Sequence, residues 1–91
     1  MPYQDVWIKG KVERKGYRDC ENRYKAIKEQ LHGLPQPFTV LDIGADMGYF
    51  SFRIAEDFDA KVTLIEKNKK IKELVSANEN PQIILIQKNI T

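Results

Sequence analysis

The chain has no apolar run approaching the ~20 residues that a bilayer-spanning helix requires, so no membrane span is expected. Cysteine is nearly absent: Cys20 stands alone, without an internal disulfide partner. The opening Met1-Pro2-Tyr3-Gln4-Asp5 lacks the basic and then apolar order of a secretory signal. These absences predict a protein of the reducing cytoplasm. Histidine occurs once, as His32. With no paired nucleophile or carboxylate, it reads as a solvated partner for the last turn of a helix rather than a catalytic base. No internal repeat, low-complexity tract or metal site is evident.

What is present fits one ordinary globular domain. The 91 residues are 42% apolar and 31% charged, and a chain of this size buries only about 60 to 65% of its unfolded surface. A net charge of +2 is too small to argue for nucleic acid, but it is unevenly spread. Residues 1–33 hold eight Lys and Arg against five acids, and residues 34–91 hold seven against eight. Lys9, Lys11, Arg14, Lys15 and Arg18 would form a basic lip for an anionic substrate such as RNA. A solvated surface is the simpler reading, because blocks of mixed charge usually only solvate.

Hydrophobic periodicity sets the element order. Val6, Ile8, Gly10 and Val12 alternate with Trp7, Lys9, Lys11 and Glu13, which suggests a short strand or irregular arm. From Asp19 or Asn22 to His32, the spacing of Cys20, Tyr24, Ile27 and Leu31 lays one stripe along a helix, with Gly33 placed for a left-handed cap. Leu34-Pro35-Gln36-Pro37 stops it. Phe38 to Ile43 is a strand apolar on both faces. A helix beginning near Met47 offers Met47, Phe50, Ile54 and Phe58 as its inner face. Val62 to Ile65 is a second strand. Lys69 to about Ala77 is a helix with Ile71, Leu74 and Val75 buried. After Asn78-Glu79-Asn80-Pro81 comes a third strand, Ile83 to Ile86. Helix, strand, helix, strand, helix, strand implies a three-stranded parallel sheet, half of a doubly wound domain.

Val40-Leu41-Asp42-Ile43-Gly44-Ala45-Asp46-Met47-Gly48-Tyr49 runs from strand through glycine-bearing turn to helix start. Such a loop exposes unpaired N–H groups, and glycine permits positive φ or close approach to a ligand. Dinucleotide enzymes use the same device. A pyrophosphate, however, would be repelled by Asp42 and Asp46, whereas a ligand carrying positive groups would be favoured. The stretch resembles the first motif of class I S-adenosylmethionine-dependent methyltransferases, acidic-x-Gly-x-Gly-x-Gly. Asp42, Gly44 and Gly48 match, and Asp46 replaces the middle glycine. Glu66, closing the second strand 22 residues after Gly44, matches the ribose-binding acid of that family. Lys67 and Asn68 would then lie beside the adenine. Asn89 stands where the family often places an Asp for the adenine amino group.

The resemblance implies a partial Rossmann-like methyltransferase fold of class α/β: a three-stranded parallel sheet with an N-terminal helix. Residues 1–18 form an arm, and residues 19–91 form a partial S-adenosylmethionine-binding domain. Asp42, Gly44, Ala45, Asp46, Gly48, Tyr49, Glu66, Lys67 and Asn89 are the candidate cofactor contacts, with Tyr49 helping to close the methionine pocket. Asp46 reads equally as the N-cap of the second helix. Acceptor-positioning residues of the family follow a fourth strand that this sequence does not reach, so no catalytic residue is assigned. One reading is the cofactor half of a methyltransferase that needs a complementing C-terminal half, and the other is a non-catalytic binding module. The family's first three helices share one sheet face, which leaves the other face to be covered by a homodimer or by residues 1–33.

Overall fold

The computed structural model describes residues 2–88. Its elements run β1 (Val6–Ile8), β2 (Lys11–Arg14), α1 (Cys20–Leu31), β3 (Phe38–Ile43), α2 (Tyr49–Asp57), β4 (Ala60–Ile65), α3 (Lys70–Asn78) and β5 (Ile83–Ile86). The three apolar runs pair in parallel in the order β3-β4-β5, in a register that sets Ile43 beside Ile65 and Ile65 beside Ile86. Their carboxyl ends therefore open at one edge of the sheet.

Alternation along the strands divides the sheet into two unlike faces. Ala60, Val62 and Leu64 are buried under α2, and Phe38, Val40, Ile83 and Leu85 pack beside them. Burial of Val62, Leu64, Phe52 and Ile71, all without exposure, contributes about 1.5–3 kcal/mol each. The opposite face carries Leu41, Ile43, Ile84 and Ile86, which are 59%, 60%, 42% and 43% exposed. The arm does not cover it. β1 packs on α2 and α3, and α1 packs on α2, all on the helical side.

The arm is a hairpin rather than one strand. Lys9 and Gly10 both take positive φ, the conformation of a two-residue turn that matches strand twist, and β1 pairs antiparallel with β2. Several bonds hold it down. Glu56 accepts from Trp7 Nε1 and Gly10 N, while Asn78 donates to the Trp7 carbonyl and accepts from Lys9 N. Arg53 lies over the rings of Trp7 and Tyr24, 4.5 and 4.3 Å from their centroids, and pairs with Glu21. Gly16 permits the return of the chain, since a Cβ there would strike the Gln4 and Asp5 backbone.

Because the hairpin covers one side of α2 and the sheet the other, that helix is buried at Tyr49, Ser51, Phe52, Ile54 and Ala55. Met47 and Phe50, expected to point inward, are only half-buried. In α1 the stripe narrows to Cys20 and Tyr24, and Ile27 is exposed. Asp19 caps this helix by accepting from Asn22 N, and those Asn22 hydrogen bonds lower its carboxyl below the usual range. Gly33 takes no left-handed cap. Instead the helix closes in tight turns, Gly33 N to Gln30 O and Leu34 N to Leu31 O.

Candidate functional site

The site begins where β3 and β4 end side by side. Gly44 N and Ala45 N both donate to the Ile65 carbonyl, at 2.7 and 3.4 Å, so the loop leaves β3 while still tied to β4. Gly44, Asp46 and Gly48 then adopt φ of 70°, 56° and 74°. Every second residue is left-handed. Asp is among the few non-glycine residues that enter this region readily, which is how Asp46 occupies the middle position.

The two end glycines serve different purposes. A Cβ at Gly44 would meet nothing within 4 Å, so Gly44 faces open space. A Cβ at Gly48 would lie 2.8 Å from Phe52 Cε2 and 3.0 Å from Ile71 Cδ1. Gly48 is therefore packed tightly against α2 and α3, and it is also the N-cap residue of α2. This corrects the capping role expected of Asp46, which lies two residues too early. The first amide of α2, Tyr49 N, donates instead to Oε1 of the buried Gln4. Nothing in the local sequence around Gln4 signals that role.

Glu66 braces the loop. Its Oε1 accepts from Asp46 N at 2.7 Å and its Oε2 from Asn68 N at 2.8 Å, with the side chain almost wholly buried. Each oxygen keeps a second lone pair. Asn68 in turn accepts from Lys70 N and opens α3. Asp42 points to the helical side and accepts from Ser51 Oγ at 2.6 Å, joining the strand end to the first turn of α2. Burial pushes the Asp42 carboxyl above its usual value, the Ser51 hydrogen bond pulls it back, and the negative charge of Glu66 adds to the rise. Asp46 Oδ2 is buried without a hydrogen-bond partner among the described residues.

The structure thus brings Asp42, Gly44, Asp46, Glu66 and Lys67 to one end of the sheet. Lys67 is exposed and makes no ion pair among the described residues. Ala45 is buried, its carbonyl accepting from Gly48 N. Tyr49 lies in the core, with no exposed surface, its ring edge-on to Trp7 and its hydroxyl between Arg53 and Glu21. Burial raises its phenol, against the pull of Arg53. Asn89 lies outside the described residues.

Other candidates take structural places. Cys20 is fully buried, its Sγ accepting from Asp5 N, and burial pushes its thiol up. His32 sits edge-on to Phe58. Trp7 is packed, whereas Tyr17 is exposed. No helix of the described residues is long and apolar enough to cross a membrane. No protein-family model and no curated protein matches this sequence, and its architecture places the chain as a small α/β domain with a three-stranded parallel sheet.

Proposed function

We propose that the loop from Asp42 to Gly48, with Glu66, binds S-adenosylmethionine, and that the chain is the cofactor-binding half of a methyltransferase. The observation that carries this reading is the run of left-handed residues at 44, 46 and 48, the backbone that an alternating glycine motif encodes, kept although Asp46 has replaced the middle glycine. The chemistry of the site fits the ligand. S-adenosylmethionine supplies a methyl group on a sulfonium, and its sulfonium and ammonium charges suit the carboxylates of Asp46 and Glu66 at this end of the sheet. The free lone pairs of Glu66 offer two positions for a ribose diol. The exposed aliphatic face of the sheet is the surface on which a complementing half would seat.

One observation favours a second reading, a non-catalytic interaction module: both Glu66 oxygens already hold loop amides. Calorimetric titration with S-adenosylmethionine separates the two. Under the first reading the chain binds, and Glu66→Gln weakens binding by about 1–3 kcal/mol, the range for a hydrogen bond to a charged group. Gly44→Asn should abolish binding, because it places a side chain in the open space before Gly44 while tolerating its φ. Absence of binding, or unchanged affinity in both variants with the fold intact by circular dichroism, rejects the cofactor reading.

A further inference from the structure

We infer that a second cleft, between the β1–β2 hairpin, the glycine loop and α3, binds a nucleotide. It has a volume of about 280 Å³, near the lower bound of small-molecule sites, roughly 300 Å³. Pro2, Val6, Met47 and Leu74 line it with apolar groups, and Arg14, Lys70 and Glu73 line it with charged ones.

These charges are distinguished by what they do not bind. Of the five basic residues in the arm, Lys9 pairs with Glu79, Lys11 with Glu13 and Lys15 with Asp5, while Arg18 lies over the Tyr3 ring. Arg14 makes no ion pair or ring contact among the described residues, and neither Lys70 nor Glu73 makes an ion pair there. Uncompensated charges scattered over a convex surface only solvate. Here two cations and a carboxylate line one concavity together with Val6, Met47 and Leu74.

That combination selects the ligand. The Arg14 guanidinium offers a planar fork for a phosphate, and Lys70 adds a point charge. Glu73 is an acceptor for sugar hydroxyls or a ring N–H. The Met47 thioether and the Leu74 and Val6 side chains suit the face and edge of a base. Inorganic phosphate would leave the apolar lining unused, and an apolar carboxylate would bring no donor for Glu73. The nucleotide is either free or one residue of a single strand. The cleft shares Met47 with the loop of the cofactor reading, but Arg14, Lys70 and Glu73 lie outside that loop.

The test is an NMR titration of the whole chain with uridine 5′-monophosphate, a pyrimidine chosen to avoid an adenine-binding loop, alongside uridine, inorganic phosphate and hexauridylate. Saturable shifts are expected at the Met47 and Leu74 methyls and the Val6 and Glu73 amides. The monophosphate should bind more tightly than uridine or phosphate alone. Arg14→Gln and Lys70→Gln should each weaken it by about tenfold, the low end for a charge-assisted hydrogen bond, while leaving S-adenosylmethionine titrations unchanged. Tighter binding of hexauridylate identifies a strand as the source, and equal affinity identifies the free nucleotide. Absence of saturable shifts up to about 10 mM overturns the inference. So do shifts that bypass Met47 and Leu74, or affinity unaltered in both folded variants.

Discussion

Adding a single methyl group at Gly48 should cost more than adding one at Gly44, although both glycines hold nearly the same left-handed φ, 74° and 70°. Forcing an L-residue into that conformation costs roughly 1–2 kcal/mol, and Gly44→Ala should lose that amount and no more, since its new methyl meets nothing within 4 Å. At Gly48 the methyl arrives 2.8 and 2.9 Å from Phe52 Cε2 and Cζ and 3.0 Å from Ile71 Cδ1. These atoms are the far ends of side chains, which on a surface would swing aside cheaply. Phe52 and Ile71 are both completely buried, however, and overpacking a closed core adds about 1–3 kcal/mol. Gly48→Ala should therefore lose roughly 2–5 kcal/mol, a large share of the ~5–15 kcal/mol that holds a domain folded. Urea unfolding followed by far-UV circular dichroism measures both variants. With a slope of about 1–3 kcal/mol per molar, the two midpoints should separate clearly at unchanged slope. Equal midpoints would show that the Phe52 ring yields freely and that Gly48 has no packing role. The difference also governs ligand experiments: loss of binding at Gly48 reports a damaged core, whereas loss at Gly44 reports a blocked surface.

Two further substitutions probe the carboxylates of the loop. Asp46→Gly relieves a left-handed Asp and removes a buried oxygen without a partner, so it should stabilise the domain by about 1–3 kcal/mol. The corresponding rise in Tm is about 4–8 °C per kcal/mol, and a fall in Tm would mean that Oδ2 is engaged. Asp42 has a folded-state pKa raised by burial, so the stability linked to its proton is present below the ordinary carboxylate value and is lost as pH rises through the raised one. Asp42→Asn should thus exceed the parent chain in stability at neutral pH, with the gap closing as acid protonates Asp42. A gap independent of pH would refute the assignment.

The sheet was readable because Phe38 to Ile43, Val62 to Ile65 and Ile83 to Ile86 are apolar runs of strand length between breakers, and the loop because acid, glycine and helix start follow one another in the chain. The hairpin was not. Its turn rests on Lys9 at positive φ, a residue type that carries no turn signal. The burial of Tyr49 and the shifted inner face of α2 escaped the periodicity for a related reason: the hairpin covers a second side of that helix, and a single-stripe template assumes one. Glu66 was placed correctly at a strand end. Its bond to Asp46 N depends on two parallel strands ending in register, which no local pattern encodes.

The hydrogen bonds from Asn78 to the Trp7 carbonyl and from Lys9 N to Asn78 join residues about seventy positions apart. Closing a loop of that length costs about 4 kcal/mol of chain entropy, which the local contacts of β1 and β2 cannot offset alone. During synthesis at about 5–20 residues per second, Trp7 therefore waits roughly 4–14 s for its last partner, although Glu56 and Arg53 arrive earlier. A strand made early is secured late. Nascent chains tethered through an added linker that carries them clear of the ribosome should leave β1 open to protease when they end at Asp57 and protect it when they end at Asn80.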